Sequence, residues 1–357
     1  MTAQWRVGDV PSEVAGWIGQ TRYPETAGFP VERGYIWTSC ASVENGNPLF
    51  WDDKVAAELT GGPVAPPSTL SLWLRPHHWQ PGRTAPRLPL QVHFDLKDRL
   101  GLPEAIMSDS EVAFHEPVRP GDMISTAQVL RSLSGPKTTK LGTGRFWVID
   151  VPYRNQRDEL VGVETLTGFG YVRSTVPTAA PPPVPAAGLV PGATDPAAGI
   201  AGPLRLSDVA VGDMLPPLAY DVTATTVVLG ALATRDWRPM HHDRTFAIER
   251  NGANDIFLNT PNLQAWFERY VTDWTGPLGR LGRLRFRMRD SVYPGDTMTL
   301  AGSTTEVTSD DAGCGWVRLA IDLTVGERLC TSCTVRVAVP ATADDNPWRR
   351  AGDQWAP

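Results

Sequence analysis

Apolar positions recur at helical spacing in one long stretch of the chain. In PNLQAWFERYVTDW (Pro261 to Trp274), Leu263, Trp266, Phe267, Tyr270, Val271 and Trp274 fall at i, i+3, i+4, i+7, i+8 and i+11. That spacing predicts an amphipathic helix with a broad aromatic face. Thr260 is placed to act as its N-cap, and Pro261 suits the first turn. Strand-like runs follow: RLRFRMRDSV, DTMTLAGSTTEV, CGWVRLAIDLTV and RLCTSCTVRVAV. The first half ends the same way, with GRFWVIDVPYRN and ELVGVETLTGFGYV. The coarse map is one buried helix followed by an antiparallel meander, twice over.

The two halves repeat each other. YIWTSCASVENGNPLFWDD (Tyr35 to Asp53) aligns without gaps on TVVLGALATRDWRPMHHDR (Thr226 to Arg244), placing Pro48 on Pro239 and Asp52 on Asp243. Each copy runs from an apolar, β-branched stretch through small residues to a polar X-Pro turn. Downstream, EPVRPGDMISTAQVL matches DSVYPGDTMTLAGST, and each Pro-Gly-Asp is a turn between strand-like runs. Between the copies, residues 174–203 are rich in Pro, Ala and Gly, a composition that suits an extended linker and not a packed helix or central strand. The expected domains are therefore residues 1–173 and 204–345, joined by the linker 174–203, with a tail at 346–357.

At 357 residues the length also suggests two domains. A 41% hydrophobic content and 20% charge are ordinary for a globular protein, and a net charge of −6 argues against a nucleic-acid partner. No apolar run is long enough to span a membrane, and the N-terminus lacks the pattern of a secretory signal, so a cytoplasmic location is expected. The four cysteines are too few and too unevenly spaced for a disulfide framework. Cys330 and Cys333 form a CxxC, but on a strand they would point to opposite faces, so they are expected to be structural thiols.

The densest chemistry lies in DWRPMHHD, Asp236 to Asp243. A metal site would need a third ligand, which neither His241 nor its diverging neighbour His242 supplies; no metal is expected. A polar turn with satisfied side chains is the plain alternative. An acid–base site needs a carboxylate and an imidazole facing one small volume, and a strand-to-turn bend stiffened by Pro239 would allow Asp236 and His241 to do so.

These residues carry a resemblance. Asp236 to His241 matches the hydratase motif of the MaoC-like, hotdog-fold enoyl-CoA hydratases: Asp, any residue, usually Asn, Pro, an aliphatic residue, His. VYPGDT (Val292 to Thr297) matches the second hallmark of that family, and ENGNPLFWD resembles its dehydratase-type N-terminal hotdog. The resemblance implies an α+β double hotdog, each half a long helix wrapped by an antiparallel sheet. It implies that Asp236 and His241 are catalytic, activating water for addition across a trans-2-enoyl-CoA to give the 3R-hydroxy product. It places the thioester oxygen at the N-terminus of the central helix, at Thr260 and Asn259, although Pro261 offers no N–H. Arg238 stands where the family usually has Asn; pairing with Asp236 or Asp243 is favoured over substrate contact.

In the first half, Asn45 and Phe50 occupy the positions of Asp236 and His241, and neither residue moves a proton. That half is expected to shape the acyl pocket and not to catalyse. The PHHW run, Pro76 to Trp79, is expected to be loop packing. Arg283, Arg285, Arg287 and Arg289 alternate and would share one strand face; Arg285 and Arg287 could meet CoA phosphates, or the row could be a solvated sheet face or a domain contact with acids. The resemblance implies no cofactor beyond the CoA of the acyl-CoA substrate, and further pairing into a homodimer is open. The stretch from His241 to Pro277 is similar to hydratases that degrade sterol side chains in actinobacteria, where live and dead hotdogs are separate chains. The alternatives are a hydratase or dehydratase for a small branched or dicarboxylic acyl-CoA, a hotdog thioesterase, and a non-catalytic acyl-CoA-binding subunit.

Overall fold

The structure is a computed structural model that describes residues 10–82, 90–173 and 204–357. The expected linker, 174–203, lies outside the described residues. The first half contains α1 (Ser12–Ala15), β1 (Thr21–Thr26), α2 (Arg33–Ser42), α3 (Pro48–Trp51), α4 (Asp53–Thr60), a 3₁₀ segment (Pro67–Leu74), α5 (Gln91–Arg99), β2 (Glu104–Phe114), β3 (Ser125–Leu133), β4 (Lys137–Thr138), β5 (Gly142–Arg154) and β6 (Leu160–Arg173). The second contains β7 (Leu218–Asp221), α6 (Ala224–Ala233), a 3₁₀ turn (Pro239–His241), α7 (Arg244–Glu249), α8 (Thr260–Thr275), β8 (Arg280–Met288), β9 (Thr297–Ser309), β10 (Gly315–Val325) and β11 (Arg328–Val339).

The strands form one antiparallel sheet in the order β1-β3-β5-β6-β2-β8-β11-β10-β9-β7, with β4 added beside β5. Read inward from either end, the two halves have the same order. They meet at β2 and β8, where Ser110 pairs with Phe286 and Val112 with Leu284. The duplication seen in the sequence is thus a pseudo-twofold in the structure.

The apolar, β-branched run before each X-Pro turn is a helix and not a strand. Thr223 explains the second copy: its hydroxyl accepts the Thr226 N–H while the Thr226 hydroxyl accepts the Thr223 N–H, which nucleates α6. The run looks strand-like because α6 is enclosed by neighbours on more than one side, so no polar stripe marks its period. At Gly230 an added Cβ would lie 2.6 Å from Asn262 of α8, so only glycine allows that approach. The first-half copy, α2, packs against α6, with the Ser39 hydroxyl donating to the Ala233 carbonyl at 3.3 Å.

The central helix α8 agrees with the periodicity, and Trp266, Phe267, Tyr270 and Val271 are all buried. In the first half the helix directly before the meander is α5, with Val92, His93 and Leu96 buried, while the stretch that the repeat sets against the start of α8 is the 3₁₀ segment Pro67–Leu74, which packs on α8 and is entered through Pro66 and Pro67. Glu268 of α8 accepts the Ser68 N–H at 2.7 Å and so caps that segment from across the core.

The expected tail also departs from the simple picture. Trp348 and Trp355 are buried, donating to the carbonyls of Pro277 and Phe114. The Arg280 guanidinium lies 3.7 Å from the Trp355 ring centroid and donates to Pro347, Arg350 and His115. The last residues therefore clasp both halves. All four cysteines are buried and free, and burial raises each thiol above its ordinary range, to about 11 for Cys314 and Cys330.

Candidate active site

Asp236 and His241 are brought together at the head of α8. Helix α6 ends at Thr234, whose hydroxyl turns back to the Gly230 carbonyl. Arg235 then adopts a left-handed conformation, φ 48°, which swings the chain so that Asp236 faces inward. Its guanidinium anchors that bend, lying 3.8 and 4.0 Å from the ring centroids of Tyr35 and Phe29 and pairing with Glu32. Pro239 opens the 3₁₀ turn that carries His241 to the same place. The bend is thus helix-to-turn, where strand-to-turn was expected.

Both side chains are buried, at 2% and 3% exposure. His241 Nδ1 is 2.8 Å from the Phe257 carbonyl. A carbonyl only accepts, so Nδ1 carries the proton and the neutral ring presents a bare Nε2. That Nε2 lies 3.8 Å from Asp236 Oδ2 and has no hydrogen-bond partner. One water can touch two acceptors at that separation, at about 2.8 Å from each. Burial holds the imidazole below its ordinary pKa, outweighing the opposing pull of Asp236.

Asp236 is held as a carboxylate. Burial would raise its pKa, but a hydrogen bond from Arg238, the charges of Arg75 and Arg238, and His241 together bring it well below the usual carboxylate range. Arg238 donates from Nε to Oδ1 and from Nη2 to Oδ2, both at 3.0 Å. The favoured pairing of Arg238 is therefore the one observed. Asn259 donates to Oδ2 at 3.1 Å and to the Thr234 hydroxyl at 2.6 Å.

Thr260 does not cap α8. It is the first helical residue, Asn259 holds the N-cap position without a capping side-chain bond, and the Thr260 hydroxyl points to Met288 Sδ at 3.2 Å. Thr260 lines a cleft of roughly 330 Å³ with His241, Arg238, Leu263 and Met288. The first helical hydrogen bond is Leu263 N–H to Asn259 O, so the amides before it are free of the helix ladder. The VYPGDT stretch supports the site from behind: Leu258 N–H donates to Val292 O at 3.1 Å, fixing the segment that holds His241.

The structure shows two contributions to this site that sequence reasoning missed. Arg75 Nη1, from the first half, lies 3.6 Å from Asp236 Oδ2. The Pro76 carbonyl accepts the Trp237 indole N–H at 2.8 Å, and the His78 ring meets Trp237 edge-on at 5.6 Å. PHHW is loop packing as expected, but it packs on the Asp236 turn. No local signal could have joined Arg75 to Asp236, because the contact depends on how the two halves dock.

At the matching first-half positions, Asn45 Oδ1 accepts the Asn47 N–H and Phe50 is buried in the core. The arginine row on β8 meets acids of β2: Arg283 with Glu111 at 2.8 Å, and Arg285 and Arg287 with Asp109 at 2.9 and 3.6 Å. Contact across the domain boundary is the arrangement displayed. Arg289 lies beyond the end of β8.

Residues 17–163 match the family model described as FAS1-like, dehydratase domain region. Over 97 residues the chain is 40% identical to the 3-oxo-4,17-pregnadiene-20-carboxyl-CoA hydratase beta subunit of Mycobacterium tuberculosis, covering 74% of that protein and 27% of this one. Over 160 residues it is 30% identical to a probable enoyl-CoA hydratase alpha subunit of Thermomonospora curvata, covering 50% of that protein and 44% of this one. Among solved structures, a MaoC-like dehydratase superposes with a TM-score of 0.64 at 19% identity, covering 92% of this chain and 100% of that one. A Mycobacterium tuberculosis protein described as having a double hotdog fold superposes with a TM-score of 0.58 at 16% identity, covering 90% of this chain and 96% of that one. The chain belongs to the MaoC-like hydratase and dehydratase family and has its double-hotdog fold.

Proposed function

We propose that the chain is a hydro-lyase that adds water across the double bond of a trans-2-enoyl-CoA. The observation that carries this is the bare Nε2 of a neutral His241 facing the Asp236 carboxylate across 3.8 Å in a family of hydratases. A water between them gives one proton to Nε2 as its oxygen bonds C3 of the enoyl group. The C2 carbon then takes a proton back from the imidazolium, so acid and base are one residue. Asp236, kept ionised by its arginines, orients the water and stabilises the imidazolium. Charge gathers on the thioester oxygen in this step, and the Thr260 N–H at the positive end of α8 is the donor assigned to it.

The name of the pregnadiene-carboxyl-CoA hydratase relative supports a bulky acyl group, a steroid-linked one included. The relatives are named as alpha and beta subunits, and this chain carries two hotdog halves in one polypeptide. In this reading it is active without a partner chain. The proposed product is the 3R-hydroxyacyl-CoA, with no cofactor proposed beyond the CoA of the substrate.

The test is a panel of 2-enoyl-CoAs, from crotonyl to steroid-bearing, followed by loss of the conjugated thioester absorbance. Turnover is expected in the wild type and should fall 10²–10⁴-fold in Asp236→Asn and in His241→Ala, with folding retained. Release of free thiol in place of hydration would instead make the chain a thioesterase. Binding without turnover across the whole panel would make it an acyl-CoA-binding subunit.

A further inference from the structure

We propose that Arg75 is a positioning residue for Asp236, so that the site carried by the second half is completed by a side chain of the first. For its catalytic meaning this rests on the hydratase reading. Arg75 directly follows the 3₁₀ segment Pro67–Leu74, and its N–H donates to Leu72 O at 3.0 Å. The next carbonyl, that of Pro76, is held by the Trp237 indole. The backbone on both sides of the contact is therefore fixed, one side by the first half and the other by the Asp236 turn itself.

The Arg75 guanidinium approaches one oxygen, Oδ2, at 3.6 Å. That oxygen is the one facing His241 Nε2, and it also receives Asn259 Nδ2 at 3.1 Å and Arg238 Nη2 at 3.0 Å. Arg238 is well exposed at the cleft, whereas only 24% of the Arg75 side chain is exposed. Arg75 is thus the more sheltered of the two cations, and its charge also acts on a first-half pair. In that pair the Tyr153 hydroxyl donates to Glu164 Oε2 at 2.7 Å, and the Arg75 charge acts on both groups. A first-half guanidinium 3.6 Å from Asp236 ties the orientation of that carboxylate to the docking of the halves.

The groups facing His241 are Asp236, Arg238, His242 and the Phe257 carbonyl; those facing Asp236 are Arg238, Arg75, Asn259 and His241. Removing the Arg75 charge leaves Asp236 less compensated, which favours the imidazolium and moves the His241 midpoint upward. The readout is imidazole NMR titration of the full chain, whose six histidines include His241, assigned by its loss in His241→Gln.

In Arg75→Gln the His241 midpoint is expected to rise, and Arg75→Lys should recover part of the wild-type value. Turnover in Arg75→Gln should fall roughly ten- to hundredfold, in kcat more than KM, as misplacement of a catalytic group predicts. A folded Arg75→Gln whose His241 midpoint matches wild type would overturn the proposal. Should that variant fail to fold, adding Asp236→Asn removes the uncompensated charge and is expected to restore folding; a pair that stays unfolded would assign Arg75 to packing alone. Wild type that shows the His241 coupling but turns over no enoyl-CoA would refute the hydratase reading and leave the Arg75 contact standing.

Discussion

Asp236 and His241 divide the work by environment. Two cations and an amide hold the carboxylate ionised, while burial keeps the imidazole neutral. A base whose pKa lies below its ordinary value is lost only when the medium is acidic enough to protonate it. The rate is therefore expected to be flat near pH 7 and to fall with a midpoint below about 6.5, the ordinary histidine value. Arg238 contributes to that depression, so Arg238→Asn should move the acid limb toward higher pH, checked by kcat/KM against pH in the two proteins. At this scale the sequence was informative: the six-residue motif located acid, proline and imidazole, and the departure at Arg238 pointed to pairing. What it could not show was the field around Asp236, because Arg75 comes from another domain and Asn259 acts through its side chain instead of the helix end.

At the scale of elements, the duplication extends to backbone detail. Glu44 and Arg235, equivalent in the repeat, both hold left-handed φ values, 52° and 48°, just after α2 and α6. The bend that aims Asp236 is therefore common to both halves, and in the first half it precedes Asn45. Helix α6 looks like a strand because adjacent threonines and valines open it, and the reciprocal Thr223–Thr226 cap is the sign that it is not. By contrast α8 was legible, since its large apolar side chains keep a helical period even though twelve of its sixteen residues are buried, and β10 was legible from its alternation. The 3₁₀ form of Pro67–Leu74 was not, because the repeat sets it against a helix and Pro66 and Pro67 leave only a 3₁₀ run.

Glu268 compensates for that loss by capping the run, at an electrostatic cost. Burial raises its carboxyl to about 7, and Ser68 only partly offsets this. A carboxyl raised in the folded state holds its proton where the unfolded chain has released it. Its contribution to stability is full below about pH 4.5 and is lost as pH rises through about 7. Glu268→Gln should flatten that decline, by roughly 3 kcal/mol between pH 5 and 8. Urea unfolding at a series of pH values measures the slope, and an unchanged slope would show that Glu268 stays ionised.

At the scale of the molecule, the β2–β8 seam and the C-terminal clasp make two hotdogs one body. Trp355 reaches Phe114 of the first half while its ring packs tilted against Trp316 of the second, with ring centroids 4.8 Å apart. Trp355→Ala should cost about 3–5 kcal/mol, the range for emptying a large aromatic site. Calorimetry should show the loss, with both halves destabilised together. No local pattern marks this role, because Trp348 and Trp355 sit among polar residues and glycine with no period to show burial.

Among the described residues the sheet ends at β1 and β7, and both are poor templates for another strand. Strand β1 contains Pro24, a register shift between Arg22 and Glu25, and a left-handed Tyr23, while β7 is four residues long. A backbone edge this short or irregular cannot recruit a neighbouring chain by main-chain pairing. Crowded or partly purified preparations should thus resist strand-driven aggregation, and any self-association has to use faces of the molecule in place of its rims.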